Sequence, residues 1–211
     1  NAFQGEMNLK GEIDMNSPLP TYTFSAVAQN VQMDPLLTMA SPELKQTMTG
    51  TLNANMNIDG KGLAFEEAKN FLRGKGRVEI KNAELKGLNM GKSLAEQLKV
   101  IEVFSGSKIL EEDFSEKIDF IRSSLLIQNG KLHTPDAVLQ AKSYGATLKG
   151  YVSFEKELNY EGKVLIPAKK FENRAIASLA DAKGNVGFPF RLTGVLPKFT
   201  FSVDAAEIAR M

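Results

Sequence analysis

The chain has no cysteine, no tryptophan and a single histidine in 211 residues. Without cysteine there are no disulfide staples, no thiolate metal sites and no thiol nucleophile, whatever the compartment. The lone histidine, His133 in NGKLHTPD, has only Asp136 nearby in sequence, so a histidine metal site or a hydrolase triad would need partners from distant strands. It reads instead as a turn residue near a strand end. Apolar runs long enough for a membrane-spanning helix, about 18 residues, are absent. The opening NAFQGEMNLK has neither an initiator methionine nor a signal-peptide pattern, and reads as the start of a fragment of a longer protein. Charge of one sign is lacking too: 26 basic and 25 acidic side chains leave a formal +1. Basic residues are interleaved with acids throughout and aromatics make up only 8%, which argues against nucleic acid as a partner.

Other candidates for chemistry fail on spacing. Glu111, Glu112 and Asp113 lack the alternation and glycine of a calcium loop. Glu66 and Glu67 are neighbours on a short helix and point about 100° apart, so they do not face each other as an acid–base pair. RGKGRVEI and DGKGLAF have neither phosphate-loop spacing, and their glycines read as turn and strand-start residues. No catalytic residue, cofactor or metal ligand is assigned.

What the chain does have is alternation. With 43% hydrophobic and 24% charged residues it is an ordinary globular composition, and a domain of this length buries roughly 70% of its unfolded surface. In GATLKGYVSFEKELNYEGKVLIP, Leu148, Gly150, Val152 and Phe154 alternate with polar neighbours, and Leu158, Tyr160, Gly162, Val164 and Ile166 repeat the pattern. Pairing Phe154 with Leu158 sets Val152 against Tyr160, Gly150 against Gly162 and Leu148 against Val164, with every large apolar residue on one face. The loop EKE lacks the glycine or asparagine favoured in a three-residue hairpin turn.

The same period recurs from Met7 to Met15, from Tyr22 to Ala28 and from Met48 to Ile58. Shorter versions occur at Val78 and Ile80 and in KIDFIRSSLLIQNG, VLQAKS, VGFPFRLTG and KFTFSV. Pro189 and Pro197 push the last two toward an edge or a strand end. Helix signals interrupt the strands in four places. DPLLTMASPELKQTM is a broken or double helix, with Asp34–Pro35 and Ser41–Pro42 as starts. In SLAEQLKVIEVF, Ser93 and Glu96 form a capping box and Leu94, Leu98 and Ile101 an apolar stripe. AFEEAKNFL and KKFENRAIASLA are the others. With no internal linker, the chain is expected to be one domain, residues 1–211, of α+β class: a strongly curved, mostly antiparallel sheet of about ten strands with about four short helices packed on part of one face.

Ten strands at about 4.8 Å spacing and about 33 Å length present on the order of 1,600 Å² on one face. Four ten-residue helices, each roughly 15 Å by 10 Å, cover only some 600 Å². Each large apolar side chain left in water forgoes about 1.5 to 3 kcal/mol. The remainder must therefore be covered by the sheet curling on itself, by other protein, or by an apolar ligand. A self-closed sandwich or barrel that carries nothing satisfies the first. Leu148, Val152, Phe154, Tyr160, Val164 and Ile166 are the candidate residues for a lipid groove or for the core, two roles that read alike in sequence.

Three segments also carry a family likeness. GKGRVEIKNAELKGLNMGKSLAEQL, then FIRSSLLIQNGKLHTPDAVLQAKSYGATLKGYVSFEKELNYEGKVLIP, then VGFPFRLTGVLPKFTFSVD follow in order over residues 74–204, and this order resembles the C-terminal region of the AsmA family of envelope proteins. Strands over residues 5–58 fit that family's β-rich lead-in less specifically. The resemblance implies a periplasmic domain held at the inner membrane by an N-terminal helix outside this sequence. It also implies kinship with TamB-like and bridge-like lipid-transfer proteins, whose curved sheets form an apolar groove for lipid chains, and it supplies no catalytic residues. The expected function is therefore non-enzymatic: outer-membrane or envelope biogenesis with phospholipid, or another acyl-chain lipid, as partner. Two alternatives stand beside it, a periplasmic scaffold that binds envelope proteins and no lipid, and a glycan hydrolase with two acids within about 10 Å in one cleft.

Overall fold

The computed structural model describes residues 4–85, 117–171 and 174–203. Among these, ten strands form one antiparallel sheet in which each strand pairs with its sequence neighbours. They are β1 (Glu6–Asp14), β2 (Thr21–Gln32), β3 (Met48–Lys61), β4 (Arg73–Leu85), β5 (Lys117–Gln128), β6 (Lys131–Ala141), β7 (Gly145–Ser153), β8 (Glu157–Pro167), β9 (Asn185–Val195) and β10 (Lys198–Val203). The sheet is an open meander with β1 and β10 at its two edges.

Few helices interrupt it. DPLLTMASPELKQTM breaks before its second proline, into α1 (Met33–Ala40), which holds Pro35 in its first turn, and a 3-10 turn, Pro42–Leu44. The helix starts two residues earlier than the sequence suggests, with Gln32 rather than Asp34 at the cap position, so Asp34 lies in its first turn. Its carboxylate accepts the Gln46 N–H instead (2.5 Å), closing the connection back on itself. AFEEAKNFL forms α2 (Phe65–Phe71). Among the described residues, KKFENRAIASLA yields a 3-10 turn, Ala168–Lys170, and the single-turn α3 (Arg174–Ala177). The capping box at Ser93 and the acids Glu111, Glu112 and Asp113 lie outside the described residues.

The β7–β8 hairpin has the expected faces in a register shifted by two residues. Val152 pairs with Leu158, Gly150 with Tyr160, Leu148 with Gly162 and Ala146 with Val164. A shift of two keeps every side chain on its face, but each glycine now meets a large partner. A Cβ on Gly150 would fall 2.7 Å from the Tyr160 ring and 2.1 Å from the Asn159 carbonyl oxygen. The expected pairing would have left a gap between two glycines and crowded Val152 against Tyr160. Phe154 consequently sits in the turn, not in a strand, and Lys156 adopts φ 69°, the left-handed conformation for which glycine or asparagine was expected.

Pro189 also departs from expectation: it lies in β9, between two neighbours, opposite Lys163 of β8. Pro197 occupies the β9–β10 turn.

One contiguous apolar cluster joins the strands from β2 to β10. It contains Val31, Leu52, Ile80, Ile118, Leu139, Val164, Ile166, Val186, Phe188 and Phe190, with Met33 of α1 and Phe171 packed on them.

Candidate functional site

The pairing registers align side chains of the apolar face into rows that cross the strands. One row runs Val31, Leu52, Ile80, Ile121, Leu139, Ala146, Val164 and Phe188, from β2 to β9. It is sealed: seven of its eight residues are buried and Ile121 is half-buried. Leu36 and Leu37 of α1 and Ile176 and Ala177 of α3 pack against the core cluster to which the row belongs.

A second row lies six residues along β3, about 20 Å away. It crosses all ten strands as Gly11, Phe24, Ile58, Gly74, Ile127, Leu132, Val152, Leu158, Gly194 and Phe199. Seven of its ten members carry large apolar side chains; Leu158 is buried, but Phe24, Ile58, Ile127, Leu132, Val152 and Phe199 are each only half-buried. The face is thus closed along one row and partly open along the other.

Two ion pairs are anchored in the β7–β8 turn, at the strand ends beyond the half-open row. Lys156 Nζ donates to Ser41 Oγ (3.3 Å) and to Glu43 Oε2 (3.0 Å). Ser41 and Glu43 follow α1, which leaves β2 at the opposite end of the strands from this turn, and α1 packs on the apolar cluster. The segment from Met33 to Leu44 is therefore a strap laid along the apolar face and tied at its far end by Lys156. The neighbouring Glu155 pairs with Lys69 of α2, fastening that helix across the strand ends. The strained φ of Lys156 has a use here, since it aims a cation where glycine would supply none.

Exposed apolar side chains flank the half-open row on β1, in the β3–α2 connection and on α2. Leu9 is 68% exposed, and Leu63 and Phe65 are each 60% exposed. The Gly62 N–H donates to the Pro20 carbonyl (2.8 Å), linking the β1–β2 and β3–α2 connections at this end.

The opposite face is polar and carries hollows of about 910, 650 and 510 Å³. The 910 Å³ hollow is lined by Asn53, Asn55, Arg77, Glu79, Arg122 and Asp136, among others. Two of its charged groups are engaged within the hollow. Arg122 bonds Glu79 (2.6 Å) while stacking over Phe120 (4.3 Å to the ring centre), and it holds the Glu79 carboxyl below its ordinary pKa. Asp136 accepts from Ser124 Oγ (2.8 Å), the Ser124 N–H (2.7 Å) and Ser123 Oγ (3.0 Å), and these donors likewise depress its pKa. His133 packs its ring 5.7 Å from Tyr151. Among the described residues, no group of three or more metal-ligating side chains converges.

Of the six residues singled out from sequence, Val164 and Ile166 belong to the buried cluster, at 2% and 1% exposure, and Leu148 packs against it. Tyr160 is buried over Gly150, and burial raises its phenol pKa, with the Thr134 hydroxyl beside it pulling the other way. Val152 lies in the half-open row and Phe154 in the turn. The structure therefore does not gather the six into one place. Sequence reasoning missed Phe24, Ile58, Ile127 and Leu132, although their alternation was visible, because only the registers reveal that they share a row.

A family model described as the AsmA family matches residues 1–137. No curated protein and no solved structure matches the chain. The matched region contains β1 to β5 and the first part of β6, so it takes in the lead-in strands together with the first of the three segments that carried the likeness. Among the described residues no helix is long and apolar enough to cross a membrane. With the family model covering well over half its length, this chain belongs to the AsmA family of envelope-biogenesis proteins.

Proposed function

We propose that this chain serves envelope biogenesis without covalent chemistry, by sheltering the acyl chains of phospholipid or a similar lipid along the half-open row. The observation that carries the reading is the contrast between two rows of one face, one almost wholly buried and the other with six large apolar side chains only half-buried. Nine strand spacings give that row a length of about 43 Å. This exceeds the roughly 15 Å depth of one bilayer leaflet's hydrocarbon. Each methylene leaving water contributes about 0.8 kcal/mol, so eight of them contribute roughly 6 kcal/mol before the cost of ordering the chain. A head group would stay at the wet strand ends, where Lys69, Arg73 and Lys131 lie. A periplasmic location, with an inner-membrane anchor elsewhere in the full-length protein, belongs to the same proposal.

Purification without detergent followed by mass spectrometry of an organic extract tests it. Acyl lipid is expected in the native protein and depleted in Ile127→Asp. Lipid-free protein that takes up no fluorescent fatty acid would favour the other reading, a scaffold for envelope proteins. The hollows on the polar face are the feature that supports that alternative.

A further inference from the structure

The polar face carries an inference that goes beyond lipid shelter and does not rest on it. Two of its hollows, of about 910 and 510 Å³, have Asp136 and Val138 in both linings and so adjoin. The pairing registers join them into one track. A row crosses from Asn53 on β3 through Glu79, Arg122, Val138 and Thr147 to Lys163 on β8. That is five strand spacings, about 24 Å. Beside the row, two residues along each strand, lie Arg77, Ser124, Asp136, Lys149 and Arg191.

The charges of this track do not cancel. The two linings hold five cations and three acids, and every one of the acids is already engaged. Glu79 accepts from Arg122 (2.6 Å) and Lys81 (3.2 Å), and Asp136 accepts from Ser123 and Ser124. Glu161 stands opposite both Lys149 and Arg191 but pairs with Lys149 (3.1 Å). Arg77, Lys163 and Arg191 are thus exposed cations with no ion-pair partner among the described residues. Between them the lining offers the amides of Asn53 and Asn55 and the hydroxyls of Ser123, Ser124 and Thr147. Its one aromatic ring, Phe120, is covered by the Arg122 guanidinium.

We infer that this track binds a carboxylated glycan, laid across the strands with about one sugar ring per strand. The strand spacing of about 4.8 Å is close to the length of a ring in an extended sugar chain, so the row accommodates about five rings. Ring hydroxyls meet the amides, the serine and threonine hydroxyls and the free lone pairs of Asp136. Carboxylates meet Arg77, Lys163 and Arg191, the two arginines through paired N–H bonds. A peptide suits the track less, because peptide and protein partners anchor through large apolar or aromatic side chains in desolvated pockets. Donors hold both Glu79 and Asp136 ionised, so neither carries the proton that a glycosidase gives to the leaving oxygen. The track is built to hold such a chain, not to cut it.

Isothermal titration calorimetry of the chain with oligogalacturonate tests this. Saturable binding is expected, weakening as salt rises from about 20 to about 300 mM. Arg77→Gln, Lys163→Gln and Arg191→Gln should each weaken it roughly threefold, and the triple variant by more than about tenfold. Lys183→Gln removes the same charge from a residue that lines neither hollow, and should leave binding unchanged. The methyl ester of the same oligomer keeps the rings but loses the charges, and should bind about tenfold more weakly. No binding at low salt, equal binding of the methyl ester or of polyglutamate, or an equal loss in Lys183→Gln overturns the inference.

Discussion

Leu139 and Leu132 stand on the same strand and the same apolar face, but in different rows. Replacing each with alanine separates the sealed row from the open one. Leu139 is 5% exposed and surrounded by the core cluster, so its loss removes transfer energy and leaves a cavity, at a cost of about 3 kcal/mol. Leu132 is half-buried and borders solvent that fills the vacated space, so only part of the transfer energy is lost, about 1 kcal/mol. For a chain of this size the first change should lower the melting temperature by roughly 6 to 12 °C and the second by roughly 2 to 4 °C. Urea titration of both variants with an unchanged m-value would yield these differences directly. Equal losses at the two positions would refute the division of the face into sealed and open rows.

Two further outcomes follow from the ties described above. Lys156→Met frees Ser41 and Glu43, and amide hydrogen exchange in Met33–Leu44 should rise by roughly tenfold, the equivalent of about 1 kcal/mol for a partly exposed pair. Lys156→Gly should raise exchange in the strap as much while recovering stability through relief of the left-handed backbone, and unchanged exchange in both variants would show that the lysine holds nothing. The pKa of Asp136 is depressed in the folded state, so its contribution is complete above the ordinary carboxylate value of about 3.9 and disappears as pH falls through the lower folded value. Asp136→Asn should therefore lower the urea midpoint near neutral pH and shift it little at about pH 2; an offset that does not change with pH would contradict the assignment.

The strands were legible wherever alternation ran unbroken, as in Met7–Met15, Tyr22–Ala28 and the β7–β8 segment. They were not legible where the pattern was interrupted. β6 showed only as VLQAKS because Pro135 and the irregular pairing between Thr134 and Ala137 break the period of two. β4 was reduced to Val78 and Ile80 because Gly74 and Gly76 offer no side chain to count. Register lay beyond reach for a definite reason. A shift of two preserves faces, so pattern alone does not choose between pairing like with like and pairing glycine with a ring. The strap was visible as a broken helix, but its anchor joins Lys156 to residues more than a hundred positions away, and no local signal reports such a contact. Val152 and Val164 illustrate the limit for the site itself: both were candidates on equal grounds, and only their burial distinguishes the half-open row from the sealed one.

Photo-crosslinking with a diazirine fatty acid, read by peptide mapping of the adducts, tests lipid shelter most directly. Labels should concentrate on the strand segments around Phe24, Ile58, Ile127, Leu132 and Val152. Labels confined to the polar face, or spread evenly over the surface, would contradict it.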